Sequence, residues 1–259
     1  MTDDEKPDEP EKKAPAIPKD TLRPPLPKRF YKDVSVEPRG EGHAVLLDGR
    51  PIRTPGKREF AVPTRELAEA LAAEWAAQGT HIDPATMPIT RLVNTAIDAV
   101  EERKREVAED IVAFAGSDLL CYRAETPDAL VRRQAEAWNP VLAWAKRELG
   151  AEFALRAGLM PIEQPPQSLE AVRRSLDGLD ALSLSALHIL TTISGSALLA
   201  LAHARGELSA DEAWNAATVD ESWQRELWGR DEEAEAHAAH RRREFDAASR
   251  CLQLLPTRQ

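Results

Sequence analysis

Cysteine is scarce in this chain of 259 residues, with thiols only at Cys121 and Cys251. Their separation matches no metal-binding or redox spacing, which excludes a disulfide-stapled secreted scaffold and points to a reducing compartment. Both are expected to be buried small hydrophobes. Long uninterrupted apolar runs are lacking too. The most apolar stretch, Leu182 to Ala204, is broken by His188, Thr191, Thr192, Ser194, Gly195, Ser196 and His203. These residues are costly in lipid and tolerable in a protein core, so the stretch is expected to form one buried core helix, without membrane insertion. The first residues show no apolar run after a basic start, and they hold Asp3, Asp4, Glu5, Asp8, Glu9 and Glu11. Neither a secretory signal nor a basic, acid-poor presequence is expected, and the expected compartment is the bacterial cytoplasm. Positive charge is in deficit as well. A net charge of −10 argues against nucleic acid or an anionic membrane as a partner. Finally, G-x-G-x-x-G, the P-loop lysine motif and the G-x-S-x-G elbow are all missing. Gly40 and Gly42 lie in a turn between two strands, without a helix N-terminus to bind phosphate. The chain reads as a non-enzyme with no catalytic residue, no metal and no cofactor.

What is present is ordinary globular material, 42% hydrophobic and 30% charged. Residues 1–28, rich in Pro and charge with little apolar to bury, are expected to be a flexible tail. Their Pro24–Pro27 segment, PPLP, reads as a linker before it reads as a ligand for a proline-recognition module. From Phe30 to Val62 the pattern is strand-like. Val34 and Val36 sit in one extended run, Ala44 to Leu47 in a second and Arg50 to Thr54 in a third. The Asp48-Gly49 pair between the second and third is a strong hairpin signal. Glu59 to Val62 completes a small meander, with Pro51 and Pro55 at exposed edges or strand ends.

Helical spacing follows. Thr64 is placed to cap a helix whose apolar face holds Leu67, Ala70, Leu71 and Trp75. Ile89, Leu92, Val93, Ala96, Ile97 and Val100 recur at helical period, as do Val107, Ile111 and Phe114. Pro127 suits the first turn of a helix carrying Trp138 and Trp144, with a kink or break expected at Pro140. Ser168 is expected to open a shorter helix. Ser209 to Glu212 reads as a capping box starting a helical region to about Leu255 with one interruption. Strands first and helices afterwards is an α+β arrangement: a small N-terminal antiparallel β domain with one helix (29–88), then a larger all-helical domain (89–259).

Three clusters invite a functional reading. Glu233, His237 and His240, at offsets of four and three, would share a helical stripe, as a metal-dependent hydrolase site requires. Their surroundings are charged or Ala, so a solvated face is the favoured reading. Arg241 to Arg243 form a basic triplet read as solvated charge or local ion pairing. Trp214, Glu221 and Trp228 are seven apart, placing a carboxylate among tryptophans. Glu221 then needs a basic or donor partner inside the fold, with Arg225 one turn on as the nearest, or one from outside.

Several short motifs, in order, resemble the Atp-twelve (ATP12) chaperone family. They are Arg29-Phe30-Tyr31-Lys32-Asp33-Val34, Leu47-Asp48-Gly49-Arg50-Pro51-Ile52-Arg53-Thr54-Pro55, Val62-Pro63-Thr64 and Glu74-Trp75, then Met87-Pro88-Ile89-Thr90, Asn94-Thr95-Ala96-Ile97-Asp98 and Asp118-Leu119-Leu120-Cys121-Tyr122-Arg123. Trp138-Asn139-Pro140, Glu221, Gln224 and Trp228-Gly229 complete the series, and the likeness spans residues 29 to 255. Two departures stand out: Asn139 replaces the expected Asp, and Asp231 follows Arg230 where Val-Glu is common. The resemblance implies a two-domain fold and an ATP-independent assembly chaperone, a monomer that binds the unassembled α subunit of the F-type ATP synthase catalytic head and hands it on to the β subunit. It implies partner-binding roles for Glu221, Gln224 and Trp228, with Trp75 and Arg91 as weaker candidates.

Overall fold

A computed structural model of the chain describes residues 25–256 apart from 159. Most of the expected tail, and Pro24 of the PPLP segment, therefore lies outside the described residues. Its last residues belong to the fold. The Ile82 N–H donates to the Pro27 carbonyl at 2.8 Å, and Lys28 forms an antiparallel bridge with His81. Backbone pairing of this kind needs no apolar side chain, which is why composition assigned these residues to the tail.

The meander follows the turn chemistry. β1 (Val34–Arg39) pairs antiparallel with β2 (Gly42–Leu47), in register from Val34 opposite Leu47 to Arg39 opposite Gly42. Asp48 and Gly49 both hold positive φ, 48° and 75°, the type I′ requirement, and β3 (Arg50–Pro51) returns along β2. β4 (Ala61–Val62) shares that same edge of β2 further along. Helix α1 (Arg65–Ala76) lies on this sheet, capped by Thr64, whose hydroxyl accepts from the Leu67 N–H and donates to the Leu254 carbonyl.

The remaining described helices are α2 (Pro88–Thr95), which continues as a π-helical turn to Val100, α3 (Lys104–Gly116), α4 (Asp128–Trp144), α5 (Pro166–Leu176), α6 (Ala181–Ser194), α7 (Ala197–Ala204), α8 (Ala210–Ala217), α9 (Val219–Trp228) and α10 (Glu232–Leu254). A two-strand parallel ladder, β5 (Tyr122–Arg123) with β6 (Arg156–Ala157), flanks α4. This is the expected α+β class. One buried cluster runs from Val45, Phe60 and Val62 of the strand region through α1 and α2 to α6, α7 and α10. Glu74 of α1 is the polar tie: its carboxylate accepts from the Ile89 and Thr90 N–H groups, both at 2.8 Å, and so caps α2. No helix among the described residues is long and apolar enough to cross a membrane. Cys121 and Cys251 are fully buried, and burial pushes both thiols up to about 12, so they serve as small apolar residues.

Four local expectations need correction. The stretch 182–204 is two helices: Gly195 takes φ +70° and ends α6, and the Ser196 hydroxyl accepts from the Leu199 N–H to begin α7. Of the kink or break expected at Pro140, the break does not occur, since α4 runs through it to Trp144. Glu136, Asn139 and Pro140 are exposed, so the bond that Pro140 cannot make lies toward water, while Trp138, Val141 and Trp144 hold the buried face. Helix α5 starts at Pro166, and Ser168 inside it ties down Glu152 by accepting from its N–H and donating to its carbonyl. The capping box of Ser209 and Glu212 forms as expected, but two interruptions follow it, at Thr218 and at 229–231.

The αL position at Gly195 carries a prediction. An added Cβ would meet only the Leu119 Cβ, at an ordinary 3.8 Å, so the cost of Gly195→Ala is that of the backbone alone. About 1–2 kcal/mol is expected, read in a thermal melt as a drop in Tm of roughly 3–6 °C. An unchanged Tm would refute this account of the break.

Candidate partner-binding site

Thr218 separates α8 from α9, donating its hydroxyl to the Trp214 carbonyl at 2.9 Å. Gly229, at φ +86°, stops α9. Asp231 then caps α10 by accepting from the Ala234 N–H at 2.8 Å. The chain thus folds α9 back against the start of α10, and between them lies a cleft of about 540 Å³ lined by Glu221, Gln224, Arg225, Trp228, His237 and Arg241, among others.

Glu221, Gln224 and Trp228 are brought together here. Trp214 is not part of their helix, because the break at Thr218 intervenes. Nor does Arg225 serve Glu221. Its half-exposed carboxylate accepts instead from Arg241 of α10 at 2.7 Å. Arg241 also donates to the Ile193 carbonyl at 3.1 Å and lies 5.7 Å from the Trp214 ring centroid. Arg242 stacks on that ring as well and pairs with Asp211 and Asp246. The triplet's first two members are therefore ion-pairing residues that fasten α8 and α9 to α10.

Helix α9 is thinly held, burying only Val219. Its other ties are polar. Gln134 of α4 donates to Asp220 at 2.8 Å. Arg133 binds Glu226 through both guanidinium nitrogens, at 2.8 and 2.9 Å, with its charge over the Trp223 ring. That hydrogen-bonded pairing holds the Glu226 carboxyl below its ordinary range. The end of α9 is left bare, with Leu227 58% and Trp228 86% exposed. A tryptophan this open forfeits most of the burial that would stabilise it in a core.

Other candidates lie elsewhere. Trp75 lines a separate groove on the β sheet, set edge-on to Tyr31 at 5.7 Å, with its indole N–H buried and unpaired. Arg91 of α2 pairs with Glu244 of α10. Glu233, His237 and His240 all stand exposed on α10, and among the described residues no three His, Cys, Asp or Glu side chains are grouped to hold a metal. The hydrolase alternative rested on helical spacing, which sets residues on one stripe without making their side chains converge. Arg133 escaped the sequence reading altogether, since a lone arginine 93 positions from its partner leaves no local signal.

Comparison with known proteins adds the following. Residues 28–146 match the family model described as ATP12 chaperone protein. The mitochondrial protein atp12 of Schizosaccharomyces pombe is 26% identical over 226 residues, covering 81% of this chain and 78% of that one. The crystal structure of Atp12 from Paracoccus denitrificans superposes with a TM-score of 0.83 at 44% identity, covering 89% of this chain and 99% of that one. The crystal structure of Atu1473 from Agrobacterium tumefaciens gives a TM-score of 0.86 at 47% identity, covering 91% and 89%.

Proposed function

Because the chain belongs to the ATP12 chaperone family, we propose that it acts without nucleotide on the F-type ATP synthase, holding the unassembled α subunit of the catalytic head and handing it on to the β subunit. The physical need is plain. An isolated subunit of an alternating ring exposes large apolar interfaces that invite self-association. A placeholder must cover such a surface and leave when the proper neighbour arrives, which calls for moderate affinity and no fuel. Chaperone membership is the ground for reading the protein as a non-enzyme; a subunit placeholder is expected to work as a monomer, and the acidic amino-terminal composition is the ground for a bacterial cytoplasmic location.

The observation that carries the reading is the bare Leu227–Trp228 end of α9, beside the cleft holding Glu221 and Gln224. Tryptophan is the residue most enriched among interface anchors. The test is co-purification: tagged protein should retain a stoichiometric amount of free α subunit, without nucleotide, and release it when β subunit is added. No α subunit in the eluate, or a complex indifferent to β, would overturn it.

Glu221→Lys probes the contact. The variant sets a second cation against Arg241, yet position 221 is half-exposed and the new ammonium can turn to water, so stability should fall by only about 1 kcal/mol. Retention of the α subunit is expected to fall at least tenfold. Collapse of helix content and Tm together with binding would make Glu221 a structural ion-pair member instead.

A further inference from the structure

We infer that the aromatic groove on the β sheet is a second docking surface, and that its occupant is an extended segment of the client carrying an apolar side chain beside a carboxylate. The inference rests on the client reading above. The groove, about 570 Å³, is lined by Phe30, Tyr31, Pro51 and Trp75, with Arg50 and Arg53 at its rim. Phe30 is 73% exposed, although nothing in the composition around it forces an aromatic to the surface.

Phe30 meets Tyr31 edge-on at 5.3 Å, and Tyr31 meets Trp75 in the same manner. The Tyr31 hydroxyl donates to the Trp75 carbonyl at 2.7 Å, and the Arg29 guanidinium lies 4.6 Å from the Tyr31 ring centroid. Tyr31 is thus held in place against Trp75 before anything binds, which lowers the ordering cost of docking.

Charge selects the occupant. Residues 28–62 carry eight Lys or Arg and five Asp or Glu, a net +3 within a chain of net −10. Asp48 also lines the groove, with one carboxylate oxygen accepting from the Lys32 and Asp33 N–H groups, at 3.0 and 2.8 Å, and it forms no ion pair with either arginine. Arg53 donates to the neutral Lys57 carbonyl at 3.0 Å. Among the described residues neither Arg50 nor Arg53 pairs with a carboxylate. Two guanidiniums without an ion-pair partner beside an aromatic wall fit a segment bringing its own carboxylate and an apolar side chain. Pro51 on the edge strand has no N–H to donate, so the segment is held through side chains rather than by strand addition.

The test measures binding of isolated α subunit to the full chain, using Phe30→Ser and the double variant Arg50→Glu/Arg53→Glu, with Trp228→Ala alongside. Melting temperatures are expected to stay unchanged, because the substituted side chains lie at the surface. Affinity is expected to fall about tenfold or more in each groove variant, the effect of removing an interface anchor. Moreover, the loss in the double variant should shrink as salt rises. Wild-type affinity in both groove variants overturns this inference and leaves the client reading standing. Failure of the wild-type chain to hold the α subunit overturns both. Tighter binding after deletion of residues 2–24, or a dimer lost in the groove variants, assigns the groove to the amino-terminal segment or to a second copy and overturns it as well.

Discussion

Asp118→Ala is expected to lower stability by about 3 kcal/mol at pH 7.5, measured by urea unfolding, and by more at pH 5. Asp118 is fully buried. One carboxylate oxygen accepts from the Leu120 N–H, opening the short helical turn at 119–121, and the other accepts from the Leu198 N–H at the start of α7, both at 3.1 Å. The Ser196 hydroxyl and the Ala197 N–H point to it as well. Alanine leaves these donors buried and unpaired, at about 1–3 kcal/mol each. Relief from burying a charge offsets part of that loss.

The pH dependence separates these contributions. Desolvation raises the Asp118 pKa to about 6, against an ordinary 3.8, despite its hydrogen bonds. The folded state therefore takes up a proton more readily than the unfolded one between these values. The resulting stabilisation is fully present below about pH 4 and lost as pH rises through 6. At pH 5 it amounts to about 1 kcal/mol, so the deficit of the alanine variant should widen by about that much between pH 7.5 and 5. Carboxyls held low, such as Asp48, Asp98 and Glu226, lose their contribution only below the ordinary carboxylate range and leave this window clear. Glu74, also raised by burial, is common to both proteins and cancels. An equal deficit at both pH values would refute the argument.

Trp228→Ala is expected to be silent in stability and severe in binding. At 86% exposure the side chain contributes little packing, so Tm should move by less than about 1 °C. If the end of α9 anchors the client, affinity for the α subunit should fall at least about thirtyfold, the 2 kcal/mol typical of an interface hot spot. Trp228→Phe should keep much of it by retaining an aromatic face. Unaltered affinity in the alanine variant would place the client elsewhere. A marked fall in Tm would show that Trp228 packs within the fold.

The features legible in the sequence were those with local causes. Positive φ at Asp48 and Gly49 follows from the residue pair itself. The Thr64 and Ser209 caps need only neighbours three positions away. The α+β order follows from a change of apolar period from two to 3.6 along the chain. Glu221, Gln224 and Trp228 share α9 at offsets of three and four, so their meeting in one cleft also lay within reach of a helical reading, once resemblance had singled them out.

What the tertiary structure alone decided were the partners of charges and the ends of helices inside the apolar run. Arg241 rather than Arg225 serves Glu221, because α10 folds back across α9. Arg133 reaches Glu226 only through the packing of α4. Helices α6 and α7 separate at Gly195 and Ser196, and Asp118, far away in the chain, supplies a further acceptor for the new helix start. Local propensity acts over a few residues, whereas a buried donor or an ion pair is satisfied by whichever segment the fold brings near. The sequence by itself therefore determined the elements and their order, and the packing determined which polar side chains hold the fold and that Leu227 and Trp228, at the end of α9, face outward.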